Sequence, residues 1–137
     1  MGRRWRDGRG RLVVPGNGDG KGNGKGKGNG NGSTPAATVP LELATSYRAR
    51  TKGLLGRDSL DGAILLSPAN SVHTFRMRFA IDVAYLDRDL TVLTVRTMNP
   101  GRLGLPRLRS RHVLEAEAGA MAGWGLRAGV RVTVEPG

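Results

Sequence analysis

A run of alternating glycines sets the strongest limit on how this chain can fold. Glycine occupies every even position from Gly16 to Gly32, and asparagine, aspartate or lysine fills the positions between them. Glycine loses the most backbone entropy on folding, and this run contains no side chain that a core would bury. We therefore predict a Gly/Asn/Lys-rich disordered insert at residues 15–37, followed by a single β-rich globular domain at residues 38–137.

Short apolar runs border this insert on both sides. Residues 12–14 read Leu-Val-Val, and apolar and polar residues alternate through residues 39–43. Alternation of this kind predicts strands. The two runs could pair as a hairpin, because lengthening its turn from about four to about twenty-one residues adds only about 1.5 kcal/mol of closure entropy. Residues 1–14 are thus a basic N-terminal segment with a candidate first strand, and Pro40 predicts an edge strand or an irregularity.

The rest of the chain is dominated by strand patterns. The clearest is the alternation at 79–86, which a polar turn at 87–89 joins to a second apolar run at 90–97, as in a β-hairpin. Further strands are predicted at 62–67, 70–75, 112–116 and 130–134, short helices at 46–55 and 117–124, and a long loop at 98–111. This pattern predicts a mainly β (α+β) fold, a small barrel-like or sandwich β domain with two short helices.

More than half of the net positive charge lies in residues 1–35, the quarter of the chain that is least expected to fold. The net charge is +11, of which residues 1–35 contribute eight basic minus two acidic residues, or +6. Such an excess favours weak contact with polyanions. The absence of cysteine excludes disulfides, thiol catalysis and cysteine zinc sites. No apolar run is long enough to span a bilayer or to serve as a secretory signal, so we expect a cytoplasmic protein with no membrane partner.

Three phrases in a fixed order resemble the family known as domain of unknown function 192, a group of small uncharacterised prokaryotic proteins. They are RARTKGLLGRDSL at 48–60, HTFRMRFAIDVAYLD at 73–87 and VLEAEAGAMAGWGLRAGVRV at 113–132. The resemblance covers about residues 38–135. It implies a small, mainly β, barrel-like domain with short helices, and it implies no activity, because none is established for the family.

The resemblance also marks individual positions. The family pattern is matched at Gly53, Leu54, Arg57, Met77, Arg78, Ile81, Asp82, Asp87, Leu114, Glu115, Gly119, Gly125 and Gly129. Many members have Phe-Trp-Met-Lys-Asn where this chain has Thr-Phe-Arg-Met-Arg-Phe at 74–79. The aromatic residue before the methionine and the asparagine after the basic residue are therefore missing here.

Five polar residues make up the candidate ligand site: Arg57, His73, Arg78, Asp82 and Glu115. Guanidinium groups bind carboxylate and phosphate in a bidentate way, so the arginines predict a small anionic ligand. Strand alternation would place Arg76 and Arg78 on one face. Glu115 lies in the middle of a predicted strand, and Arg57 is its predicted salt-bridge partner. These features favour a binding module with a polar, basic small-ligand site and no assigned catalytic residue.

Two alternatives stay open at this point. Asp82 and His73 could perform general acid–base work in a hydrolase-like enzyme if they approach within hydrogen-bond distance. Otherwise Asp82 would be solvated or would bind backbone amides. The N-terminal segment and the arginine-rich loop at 102–111 could associate weakly with nucleic acid, without specificity, because the loop has no aromatic residue for stacking. His73 and His112 lack the spacing of a metal-ligand pair, and no metal or cofactor is expected.

Overall fold

The computed structural model describes residues 5–16 and 37–137 of the chain. These residues form seven strands and two short helices, which confirms the predicted mainly β fold. In chain order they are β1 (Gly8–Val14), β2 (Ala37–Ala44), α1 (Tyr47–Lys52), β3 (Ala63–Leu66), β4 (Ile81–Leu86), β5 (Val92–Met98), β6 (His112–Glu117), α2 (Ala120–Trp124) and β7 (Thr133–Pro136). Residues 17–36, and with them most of the predicted insert, lie outside the described residues.

The strands form one curled sheet in the order β5-β4-β6-β3-β2-β1-β7. Neighbours are antiparallel except for β2 and β3, which run parallel. The segment before β7 approaches the far edge of the sheet, where the Val92 N–H donates to the Val130 carbonyl at 2.8 Å and the Val132 N–H donates to the Leu90 carbonyl at 3.0 Å. The sheet is not closed by a continuous ladder, but these bonds give it a barrel-like shape.

The predicted pairing of the two runs that border the glycine tract is confirmed. β1 and β2 are antiparallel from Gly8↔Leu43 to Val14↔Ala37, and the side chain of Leu12 is fully buried. The prediction of an edge at Pro40 is wrong, because β2 lies between β1 and β3. Proline is tolerated because the ladder with β3 begins one residue later, at Leu41, so the missing N–H falls outside that ladder.

The N-terminal segment also fixes the start of α1. The Asp7 carboxylate accepts hydrogen bonds from the Ser46 N–H at 2.9 Å and from the Thr45 hydroxyl at 3.0 Å. Hydrogen bonds from Ser46, and then from Thr45, hold the pKa of Asp7 well below its usual range. The Ser46 hydroxyl accepts in turn from the Ala49 N–H at 3.0 Å and serves as the helix N-cap.

Apolar side chains pack on both faces of the sheet. The inner face, which the sheet curls around, buries side chains from all seven strands together with Met121 of α2. The outer face carries a second core, in which Val83, Tyr85 and Val113 are covered by Leu54 and by the loops that follow. Because successive side chains alternate along a strand, β4 and β6 contribute to both cores. Asp82 therefore points to the inner face and Glu115 to the outer face.

The strand predicted at 70–75 does not form. Only His73 makes an isolated bridge, opposite Leu103. The buried Thr74 accounts for this difference, because its hydroxyl donates to the Asn99 carbonyl at 2.6 Å and accepts from the Arg102 N–H at 2.8 Å. These bonds tie the segment to the following loop. Beyond it the chain turns through Arg76 at a φ of 62°, so the predicted strand face shared by Arg76 and Arg78 does not exist.

Neither helix of the described residues has the length and apolar character needed to cross a membrane.

Candidate functional site

A cleft opens on the outer face of the sheet, between α1 and the segment that follows β3. Its volume is about 440 Å³. The apolar walls come from Leu54 after α1, Leu66 at the end of β3 and Met77 beyond it, and Glu115 of β6 lies among them. The cleft therefore combines an apolar lining with one carboxyl group from the middle of the sheet.

Glu115 is a buried residue at this cleft that has no hydrogen-bond partner among the described residues. The residue is 6% exposed, and its cross-strand neighbours on the same face are Ile64 of β3 and Val83 of β4. Among the described residues no donor forms a hydrogen bond with its carboxylate, and burial alone raises the pKa of Glu115 to about 7. Loss of hydration disfavours the charged form of the acid, which explains the direction of the shift. At neutral pH the group is thus divided between its neutral and charged forms.

Gly53 makes room for this carboxylate. It ends α1 by donating its N–H to the Ala49 carbonyl at 2.9 Å and adopts a φ of 45°. A Cβ at this position would lie 3.8 Å from Oε1 of Glu115 and 4.0 Å from a methyl group of Leu66. A larger side chain would therefore crowd the floor of the cleft, and the positive φ disfavours any residue but glycine.

Basic side chains surround the mouth of the cleft. Arg50 connects its two walls, because its guanidinium donates to the Thr45 carbonyl at 3.2 Å and to the Pro68 carbonyl at 3.1 Å. Lys52 and Arg111 are exposed at the same rim. His73 lines the cleft as well, and its ring stacks on Phe75 with 5.2 Å between the centroids. The rim is positively charged above a floor that carries the single acid.

Asp82 lies on the opposite face of the sheet, where all its hydrogen bonds serve the fold. Its carboxylate accepts from the Thr97 hydroxyl at 2.7 Å and from the backbone N–H groups of Gly119 and Met121 at 2.9 and 3.1 Å. The last two bonds fix the start of α2. The sheet separates Asp82 from His73, so the proposed acid–base pair does not form. The other interpretation, in which Asp82 binds backbone amides, is confirmed.

The two predicted site arginines pair elsewhere. Arg57 contacts Glu42 at 2.8 Å rather than Glu115, so the predicted Arg57–Glu115 salt bridge is wrong. Both residues of the observed pair lie at a second, smaller pocket of about 260 Å³. Arg78 pairs with Asp58 at 3.1 Å on the surface. Of the five predicted ligand-site residues, the structure brings only His73 and Glu115 together at the main cleft.

Sequence reasoning missed the basic rim. The sequence predicts a helix at Arg50 and Lys52 and a loop at Arg111, and it indicates no role at a site for any of the three. The sequence feature that indicates a site here is Glu115 itself, an acidic residue between apolar neighbours in a predicted strand. Nothing in the sequence says which helix end and which loop cover that strand. Within residues 5–16 and 37–137, no three histidine or acidic side chains are grouped so as to hold a metal ion.

The curled sheet, the two helices and the cleft on the outer face define a class: a small β-barrel-like domain with a pocket beside its first helix. The chain belongs to the family DUF192, described as "Uncharacterized ACR", whose model matches residues 29–134. The family has no established function.

Two curated relatives agree with this placement. A UPF0127 protein of Pyrococcus horikoshii is 30% identical over 84 residues, which are 58% of this chain and 73% of that protein. A UPF0127 protein of Pyrococcus abyssi is also 30% identical over 84 residues, 58% of this chain and 72% of that one.

Two crystal structures share the fold. A Sinorhizobium meliloti protein, provisionally described as a transcription regulator, has a TM-score of 0.72 at 17% identity over 96% of this chain and 98% of its own. A Novosphingobium aromaticivorans protein of unknown function has a TM-score of 0.64 at 18% identity over 90% of this chain and 83% of its own. At such low identity the likeness concerns the fold alone.

Proposed function

We propose that this protein is a binding module for a small anionic molecule that also carries a hydroxyl or amino group. The observation that carries the proposal is the unpartnered carboxyl group of Glu115, 6% exposed at the floor of an open cleft. Burial disfavours the charged form of this carboxyl group. A hydroxyl or ammonium group of a ligand at this depth can donate a hydrogen bond to the carboxylate and offset that cost.

The rim supports an anionic group at the other end of the ligand. Lys52 and Arg111 are exposed beside the cleft, and Arg50 is fixed across its edge by bonds to two carbonyls. Lysine and arginine attract carboxylates and phosphates, and arginine can bind them in a bidentate way. A cleft of about 440 Å³ has the size of a metabolite site. The apolar walls between floor and rim would contact the carbon skeleton.

A ligand screen with two matched variants tests the proposal. Thermal shift would be measured with a panel of hydroxy and amino acids, sugar acids and sugar phosphates, and hits would be titrated by calorimetry. We expect a hit for the wild type and about tenfold weaker binding for Glu115→Gln, because loss of one charge-assisted bond costs about 1.5 kcal/mol or more. Glu135→Gln, on exposed β7, should bind as the wild type does. A panel without hits, or equal affinity in Glu115→Gln, would contradict the proposal.

A further inference from the structure

The loop between β5 and β6, residues 99–111, holds three leucines in solvent. Leu103 is 69% exposed, Leu105 is 76% exposed and Leu108 is 94% exposed. We call this segment the leucine loop. Single exposed apolar residues are common on protein surfaces, but a cluster of large ones within six residues of each other marks an interaction site.

Backbone hydrogen bonds anchor the leucine loop to residues 70–72. The Gly104 N–H donates to the Val72 carbonyl at 2.7 Å, and the Arg107 N–H donates to the Asn70 carbonyl at 2.8 Å. The Arg107 guanidinium lies 5.1 Å from the centre of the Tyr85 ring, a favourable cation–π distance. A Cβ at Gly104 would approach the Tyr85 hydroxyl to 2.7 Å, so the backbone sits directly on the sheet. The fold therefore presents these leucines outward.

A second segment extends the apolar surface. Leu103 lies opposite His73 in the isolated bridge, and the His73 ring stacks on Phe75, which is 45% exposed. Phe75 and Leu103 thus lie on neighbouring segments of the chain, one on each side of His73.

The charged residues of the leucine loop are all basic. Arg102 and Arg109 are exposed within the leucine loop, Arg76 is exposed next to Phe75, and residues 99–111 include no acidic residue. A partner must therefore accept apolar side chains and offer negative charge between them. The surface of a bilayer that contains anionic lipids offers both, without requiring a complementary shape.

We propose that the leucine loop docks this protein on anionic lipid surfaces, with Leu103, Leu105 and Leu108 inserted among the headgroups and the neighbouring arginines bound to lipid phosphates. This goes beyond ligand binding at Glu115 and does not depend on it. It concerns attachment to one surface of a membrane, whereas the expectation of no membrane partner rests on the lack of a spanning segment.

Vesicle sedimentation tests the proposal with the full chain. The probes are phosphatidylcholine vesicles with and without about 30 mol% phosphatidylglycerol. We expect the wild type to bind the anionic vesicles. Combined Leu103→Ser, Leu105→Ser and Leu108→Ser should lower the partition coefficient at least about tenfold, because the apolar contribution is lost. Arg102→Gln with Arg109→Gln should also weaken binding, and more than Arg48→Gln with Arg88→Gln, two exposed arginines outside the loop.

A spectroscopic measurement separates insertion from charge attraction. Leu108→Trp should show a blue shift and quenching by brominated lipids on anionic vesicles, after subtraction of the wild-type signal from Trp5 and Trp124. Equal vesicle binding by the triple serine variant would overturn the proposal, because the basic N-terminal residues would then account for it. Absence of binding to anionic vesicles would also overturn it. So would a dimer in solution that the triple serine variant abolishes, since the leucines would then form a contact between two copies.

Discussion

Two carboxyl groups are buried on opposite faces of the same sheet, and their surroundings give them different roles. Asp82 is 3% exposed and accepts three hydrogen bonds. Glu115 is 6% exposed and accepts none from the described residues. A buried carboxyl group with hydrogen-bond partners holds the groups around it in place, whereas one without partners costs free energy in the unliganded protein. Asp82 therefore belongs to the fold, and Glu115 is the residue whose burial a ligand would explain.

The cost of burying Glu115 should depend on pH. The pKa of the folded-state carboxyl group is raised from 4.5 to about 7. Below about pH 4.5 the group is protonated in both states and the cost is absent. The free-energy cost of burying the carboxylate grows as the pH rises from about 4.5 to about 7. Above about pH 7 it reaches its full value of about 3 kcal/mol. We expect Glu115→Gln to raise the free energy of unfolding by up to that amount at about pH 8 and to leave it nearly unchanged at about pH 4.

Urea unfolding at both pH values provides the measurement. Glu135→Gln, an exposed carboxylate on β7, serves as the control and should have little effect at either pH. A stability difference between Glu115→Gln and the wild type that does not change with pH would show that the carboxyl group titrates normally in the folded protein.

Loss of the Asp82 carboxylate should destabilise the fold without affecting ligand binding in the cleft. Asp82→Ala leaves the buried Met121 N–H, the Gly119 N–H and the Thr97 hydroxyl without their acceptor. We expect the free energy of unfolding to fall by about 3 kcal/mol, and Thr97→Val, which removes one bond, to cost only about 1 kcal/mol. A loss below about 1 kcal/mol for Asp82→Ala would mean that water replaces the carboxylate at the start of α2.

At the scale of the secondary-structure elements, strands and turns that have a clear local sequence pattern could be predicted. Segments whose conformation depends on contacts with distant residues could not. The β4–β5 hairpin follows from alternation and a polar turn, and the β1–β2 pairing follows from two short apolar runs. The segment at 70–75 has similar composition, but Thr74 bonds to residues more than twenty positions later. Only the folded chain brings those partners together, so no local pattern predicted a loop there.

The β1–β2 pairing predicts how the length of its connection affects stability. Replacing residues 15–36 with a turn of about four residues keeps the pair Val14↔Ala37 and shortens the closed loop. We expect the free energy of unfolding to rise by about 1.5 kcal/mol from the lower closure entropy. Leu12→Ala, which empties a fully buried position of β1, should instead cost about 3 kcal/mol.

Urea unfolding of the shortened chain, alone and combined with Leu12→Ala, provides the measurement. The two effects should add, because the connection and the core position are separate. A shortened chain that unfolds more easily than the wild type would show that the connecting residues stabilise the fold through contacts of their own.

At the scale of the whole molecule, the cleft depends on which distant segments meet. The sequence pattern predicts that Glu115 and His73 belong to one site, and both line the cleft. The predicted acidic partner of Arg57 is wrong. Arg57 follows α1 and reaches β2, where Glu42 lies. Residues 36–137 contain nine acidic residues, and composition alone does not show which of them pairs with Arg57. The order of β2, β3 and β6 in the sheet determines the partner of Arg57. It places Glu115 among apolar neighbours, away from Arg57.

The distribution of charge over the whole chain leads to a last prediction, on polyanion binding. Residues 1–35 contribute +6 of the net +11, and Lys21, Lys25 and Lys27 are the three lysines among them. If the N-terminal charges bind polyanions, each lysine that contacts a phosphate releases a counterion, so binding falls steeply with salt. We expect the combined Lys→Gln changes at these three positions to reduce the slope of log K against log salt on duplex DNA by about 3.

The matched control removes the same charge from the folded surface. Arg48→Gln, Arg88→Gln and Arg96→Gln lie on exposed positions of three different segments, so they change the net charge equally without clearing one contiguous site. Fluorescence anisotropy with a labelled duplex at several salt concentrations measures both triple variants. Equal slopes would show that net charge alone sets the interaction. A larger change for the lysine variant would locate the interaction in the N-terminal part of the chain.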